Sequence, residues 1–325
     1  MDLDVAFLGT AGSMPTARRA PSATLVRRGG ERLLFDCGEG TQRQLLRSDV
    51  GLVDLPEIFL THFHADHVLG IPGLLKTFAR RGRELPLTIY GPRGLDELLG
   101  SLRRIIGRLS YEVGVVELAA GASLGRDGYA LRTFTARHGR DALGYALVEE
   151  DRPGRFDVST ADALGVPFGP ERGALQAGEQ VTLADGRVVA PEHVLGEPRA
   201  GRTVVLTGDT APSVEVVEAA RGADLLVHEA TFCEDESERA RETEHSTALE
   251  AAQVALDAGV KLLALTHLSS RYGAAEVERE ARTIFPRTVV PRDFDLVEVP
   301  FEERGVPELV KSGARLPRAE VASGT

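Results

Sequence analysis

The sequence predicts a layered α/β domain, and three observations point there. Short β-prone runs come first in a group and then alternate with helical patterns, as in sheets covered by helices. Metal-ligating residue types stand directly after four of those runs, as happens where strands end at one edge of a sheet. The 325 residues are 42% hydrophobic and 27% charged, enough to bury a large core in one domain or two.

Five strands are expected first, at Val5-Leu8, Ala23-Val26, Arg32-Phe35, Glu57-Leu60 and Leu87-Tyr90. Ile71, Leu74, Leu75 and Phe78 recur at helical spacing, as do Leu95, Leu98, Leu99, Leu102 and Ile106. Further strands follow near Val113-Leu118, Tyr129-Thr135, Leu143-Val148, Thr203-Thr207, Leu225-His228 and Lys261-Thr266. A helix from about Thr247 to Ala258 is expected to be capped by Ser246. Between Glu149 and Gly201 the rhythm breaks, with Arg152-Pro153-Gly154-Arg155, Pro167-Phe168-Gly169-Pro170 and Gly196-Glu197-Pro198. That stretch, 149–201, reads as an inserted arm with its own hairpin. Residues 1–302 then form the main domain, and 303–325 a loosely ordered tail.

Composition excludes several classes. No run approaches the roughly 18–20 apolar residues of a membrane-spanning helix, and the start lacks the pattern of a signal peptide. Cys37 and Cys233 are too few for a disulfide scaffold, so a reducing cytoplasm is expected. Net charge is −11, which argues against general nucleic-acid binding, but residues 1–110 hold 15 Lys/Arg against 12 Asp/Glu. Lys76, Lys261 and Lys311 are the lysines; arginine supplies the other basic residues, and its planar fork suits phosphate.

The sharpest chemical signal is Thr61-His62-Phe63-His64-Ala65-Asp66-His67, straight after Ile58-Phe59-Leu60. A lone histidine is more often core or surface than ligand. Three with an aspartate this close instead suit a borderline cation such as Zn²⁺. His138, Asp209 and His267 each follow another strand, which makes seven ligands, enough for two ions if Asp209 bridges them. Cys37 reads as a buried structural thiol.

This ordered set, with Gly208-Asp209-Thr210 and Thr266-His267, resembles the metallo-β-lactamase superfamily, and within it the ribonuclease Z family. Phe7-Leu8-Gly9-Thr10, Phe35-Asp36-Cys37-Gly38-Glu39-Gly40-Thr41-Gln42 and Tyr90-Gly91-Pro92 carry the likeness. His228-Glu229-Ala230-Thr231, His245-Ser246-Thr247 and His267-Leu268-Ser269-Ser270-Arg271-Tyr272 narrow it. The resemblance implies a four-layer αβ/βα sandwich and an endonuclease that removes the 3′ trailer from precursor tRNA. It assigns His62, His64 and His138 to one zinc, Asp66, His67 and His267 to a second, and Asp209 to both. Two Zn²⁺ per subunit are therefore expected, with Mn²⁺ or another divalent metal as a substitute. Asp66 becomes the proton acceptor as well as a ligand.

His245 is the candidate proton donor to the leaving 3′ oxygen, with Glu229 orienting His245 or His228. Both histidines also admit a purely supporting role. Arg19, Arg152, Arg155 and Arg271 are the candidate RNA contacts, with a basic stretch from Lys76 to Arg108. Arg19 lies in Pro15-Thr16-Ala17-Arg18-Arg19-Ala20, which keeps the proline and arginine of a family loop but lacks its lysine and asparagine. A homodimer acting on precursor tRNA is implied, without a membrane or DNA partner. Two other functions fit less well: a superfamily phosphodiesterase, sulfatase or esterase for small substrates, and a metal-dependent RNA binder without activity.

Overall fold

The computed structural model describes residues 1–52 and 55–312. Two mixed sheets pack face to face. The first has the order β17-β16-β1-β2-β3-β4-β5-β6, built from β1 (Leu3–Gly9), β2 (Ala23–Arg28), β3 (Glu31–Phe35), β4 (Glu57–Phe59), β5 (Leu87–Gly91), β6 (Val113–Glu117), β16 (Leu296–Glu298) and β17 (Glu308–Val310). The second has the order β15-β14-β13-β12-β9-β8-β7, from β7 (Ser123–Arg126), β8 (Tyr129–Thr135), β9 (Leu143–Glu149), β12 (Thr203–Leu206), β13 (Leu225–Glu229), β14 (Leu262–Thr266) and β15 (Thr288–Val289). In each sheet a parallel half, β3 to β6 and β12 to β15, joins an antiparallel half.

Strand alternation explains the four layers. Val5, Phe7, Phe35 and Phe59 face Tyr145, Leu147, Val204 and Val227 across the middle of the sandwich. Their neighbours Leu8, Leu34 and Ile58 point outward beneath α1 (Thr41–Arg47), α3 (Gly70–Arg80) and α4 (Leu95–Ile106). On the other side Val205, Leu226 and Leu263 lie beneath α7 (Val214–Ala219), α9 (Ala248–Ala258) and α10 (Ala274–Ala281). The fold is thus the expected αβ/βα sandwich. Two short helices, α2 (Ala65–Val68) and α8 (Ser237–Glu242), lie in the loops at the ligand-bearing end.

The insertion between β9 and β12 is a small unit with its own core. It contains α5 (Val158–Leu164), α6 (Pro170–Gln176) and the hairpin β10 (Val181–Thr182) with β11 (Val188–Val189). Ala161, Val166, Leu175, Val189 and Val194 pack together inside it. Two sequence expectations need correction. The C-terminal segment is not loose from residue 303, because Glu308–Val310 pairs with β16 and extends the first sheet; the rest of that tail, 313–325, lies outside the described residues. Thr247, not Ser246, caps α9, through a reciprocal pair with Glu250 that satisfies two backbone amides. Ser246 is one residue too early and donates instead to the Thr210 carbonyl at 2.6 Å.

Candidate metal centre and active site

The site forms where the parallel strands of both sheets end. Asp36 follows β3, His62 follows β4, Asp209 follows β12, Glu229 closes β13 and His267 follows β14. His138 comes from the loop after β8. The aromatic ladder Phe35–Phe59–Tyr90, with centroids 5.1 and 4.7 Å apart, forms the floor beneath them. Tyr145 ties the sheets together there, donating from its hydroxyl to the Leu60 carbonyl at 2.7 Å, one residue before Thr61.

Seven side chains converge in two nests. One combines His62, His64, His138 and Asp209; the other combines Asp66, His67 and His267. Within the first, His138 Nε2 lies 3.0 Å from His64 Nδ1 and 3.9 Å from Asp209 Oδ2. In the second, His267 Nε2 lies 3.3 Å from His67 Nε2 and 3.1 Å from Asp66 Oδ2. Asp209 Oδ2 sits between the nests, 3.6 Å from His62 Nε2 and 3.3 Å from both His67 and His267. The spacing predicted this set, and the structure brings all seven residues together.

The donors fit cations on this structure's own geometry. His62 Nε2 and Asp209 Oδ1 are buried without a hydrogen-bond partner among the described residues. A buried polar atom left in that state is costly unless something positive meets it. Burial and the neighbouring His67 hold His62 well below the usual imidazole range, so its lone pair is free. Burial and His138 act likewise on His64. Burial alone would raise Asp209 and Asp66, yet the surrounding histidines, led by His267, hold both below the usual carboxylate range. Imidazole nitrogens and carboxylate oxygens in this ratio suit Zn²⁺ or a similar borderline ion.

Four of the candidate ligands are in turn held. His67 Nδ1 meets Asp36 Oδ2 at 2.7 Å, and Asp36 also accepts from the Thr61 amide at 2.8 Å. His138 Nδ1 donates to the Glu244 carbonyl at 2.9 Å, and His267 Nδ1 pairs with Thr231 Oγ1 at 2.9 Å. The Ser13 amide donates to Asp66 Oδ2 at 2.8 Å. Partners of this kind fix ring orientation and tautomer. The Ser13 contact requires Gly12, since a Cβ there would lie 2.6 Å from the His267 carbonyl oxygen. Asp36, Thr61, Thr231 and Glu244 carried no role in the sequence reading. Asp36 had the same signal as the ligands, a carboxylate directly after the apolar run Leu33-Leu34-Phe35.

Beside the nests lies a carboxylate–imidazole pair. His245 Nδ1 donates to Glu229 Oε1 at 2.7 Å, and the two rings His138 and His245 are 4.6 Å apart. Burial works against a charged imidazole, but Glu229 outweighs it and raises His245 to about 9. Glu229 accepts from the Thr210 and Thr231 amides as well. His228 does not join this group. It shares the helix-covered face of β13 with Leu226, opposite Glu229, and its Nδ1 donates to the Glu229 carbonyl. Alternation along the strand puts it behind the sheet, on the face away from the seven converging side chains.

Three of the candidate RNA contacts are occupied within the protein. Arg19 braces its loop, donating to Thr10 Oγ1 and to the Pro291 carbonyl at 2.9 Å. Arg152 grips Glu303 through two bonds of 2.8 and 3.0 Å. Arg271 pairs with Glu236 at 2.7 Å. Arg155 is exposed at the base of the arm with no side-chain partner among the described residues.

Comparison with known proteins agrees with the geometry. Residues 16–267 match the metallo-beta-lactamase superfamily. A ribonuclease Z of Haloferax volcanii is 50% identical over 311 residues, covering 93% of this chain and 97% of its own. One of Gemmatimonas aurantiaca is 48% identical over 308 residues, 93% of this chain and 98% of its own. Among solved structures, the short form of human tRNase Z superposes with a TM-score of 0.66 at 28% identity, covering 91% of this chain and 99% of that one.

Proposed function

The chain belongs to the ribonuclease Z family of the metallo-β-lactamase superfamily, and on that premise we propose that it removes the 3′ trailer from precursor tRNA with two Zn²⁺ ions per subunit. It is a metal-dependent endoribonuclease of tRNA 3′ processing. Cleavage leaves a 3′-hydroxyl on the tRNA and a 5′-phosphate on the trailer. The observation that carries this reading is the pair of nests sharing Asp209, whose second oxygen and His62 Nε2 are buried without partners among the described residues.

His62, His64, His138 and Asp209 would hold one cation, and Asp66, His67, His267 and Asp209 the other. Bound there, the pair supplies polarisation of the phosphodiester and a more acidic water. Asp66 is fixed through Oδ2 by the Ser13 amide, which leaves Oδ1 to take the proton of the attacking water. On the opposite side the bond to the 3′ oxygen breaks, and His245 gives that oxygen a proton from Nε2. Glu229 keeps the donor charged and correctly turned by accepting from Nδ1. Mn²⁺ or another divalent ion would serve in place of zinc.

The protein acts as a cytoplasmic homodimer in this reading, with the arm of one subunit holding the tRNA body. A clamp of that size has no use for a small substrate, which is why the small-ester alternative is set aside. No helix among the described residues is long and apolar enough to cross a membrane.

The test is incubation of the Zn²⁺- or Mn²⁺-loaded protein with a 3′-extended precursor tRNA, with both product ends mapped. A single cut leaving 3′-hydroxyl tRNA and 5′-phosphorylated trailer is expected. Intact precursor alongside rapid hydrolysis of bis-p-nitrophenyl phosphate would assign the site to small substrates instead.

A further inference from the structure

A cleft of about 540 Å³ opens beside His138, outside the two nests. That volume lies within the range of small-molecule sites. One wall is Leu118, Ala119 and Ala120 after β6, and the facing wall is the loop around Ala136 and Ala142 after β8. Four alanines line the slot between them, and the exposed residues Asp141 and Glu215 complete its lining. Arg93 and Arg137 stand at its rim, both exposed, and neither guanidinium has a hydrogen bond or ion pair among the described residues. Glu244 also borders the slot, but its carboxylate is committed to the Gly139 amide at 2.6 Å and shapes the loop.

We propose that this slot is the subsite for the last nucleotide of the mature tRNA, the one whose 3′ oxygen leaves. The inference rests on the functional reading above and adds the position of one nucleotide. The slot lies on the His245 flank of the centre, because His138 forms part of its wall and packs against His245, and Glu244 directly precedes His245. In the cleavage step water oxygen bonds to phosphorus while the phosphorus–O3′ bond breaks. The water proton passes to Asp66 and the His245 proton to O3′, so the nucleotide carrying O3′ must sit on the donor's side. Its base fits between the alanines, and unpaired arginines at the rim suit the backbone phosphates on either side.

A cycle between substrate and protein tests this. Precursor tRNA is made with an abasic residue at the last position before the cut, and in a second preparation at the first position after it. Each is assayed with the wild-type protein and with Ala120→Trp, which fills the slot. For the wild type, the abasic residue before the cut should lower kcat/KM by about tenfold or more, in the range of a lost pocket contact. The residue after the cut should have a smaller effect. With Ala120→Trp the ratio between intact and abasic precursor should collapse toward one, whatever the variant's overall rate.

An unchanged ratio in the variant, or a larger effect from the position after the cut, would overturn the assignment. Should Ala120→Trp fail to fold, the wild-type comparison of the two abasic positions decides alone. Failure of the wild type to cut intact precursor would sink the functional reading itself, a result distinct from any of these.

Discussion

At the level of single residues, the site depends on which atom of each histidine is left free. His67, His138 and His267 each commit Nδ1 to a protein partner and turn Nε2 inward. Asp36 is buried against His67 Nδ1 at 2.7 Å, and Asp36→Asn should lower metal affinity by roughly 10–100-fold while leaving the candidate ligand set intact. Competition with a chelator measures that. His245→Ala should cut kcat for precursor tRNA by roughly 10²–10⁴ with little change in KM, as expected for loss of a proton donor. Equal loss in both constants would point to a binding role.

The two cysteines behave differently from the site. Burial pushes both thiols up to about 12, so each is protonated at pH 8 and the reactive thiolate is scarce. Neither should react with iodoacetamide in the folded protein; rapid labelling of Cys37 would contradict the packing described. Histidines after apolar strands could be seen, and alternation sets His228 and Glu229 on opposite faces of β13, but which of the two meets the site depends on which face α9 covers.

Among elements, the arm was legible as an interruption in strand rhythm. Its attachment was not, since the partner lies about 150 residues away at the other end of the chain. Arg152 and Arg199 face each other across an isolated bridge at the arm's two stalks, and both pair with Glu303. Phe301 lies between Arg152 and Arg202, with the guanidinium carbons 3.4 and 3.9 Å from the ring centre. An exposed ion pair contributes little to global stability, so Glu303→Ala should leave the thermal midpoint nearly unchanged. Limited proteolysis should nevertheless cut the arm's stalks faster in the variant. Equal cutting rates would show that the stalks are held by their backbone bridges alone.

The same distance effect explains β17. Glu308–Val310 has little pattern of its own and becomes a strand because β16 offers an open edge. Thr247 was missed as the cap of α9 for a smaller reason. Two hydroxyl residues stand side by side, and the reciprocal bond with Glu250 selects the second.

For the whole molecule, the two sheets matter because their parallel halves end on the same side. That topology gathers the candidate ligands, from His62 to His267, across about 200 positions of sequence, and no local segment supplies more than four of them. The sandwich was legible from the order of strands and helices, since runs such as Val204-Val205-Leu206 and Leu262-Leu263-Ala264-Leu265 are apolar at successive positions and so require cover on both faces. The ladder beneath the site, with Tyr145 bonded to the Leu60 carbonyl, fixes one sheet against the other at the point where the nests meet. Counting metal per polypeptide after reconstitution and gel filtration examines this convergence directly. Two equivalents should remain in the wild type, and Asp209→Ala should retain less than one. A single equivalent in the wild type, or two kept by the Asp209 variant, would contradict a pair of cations sharing that carboxylate.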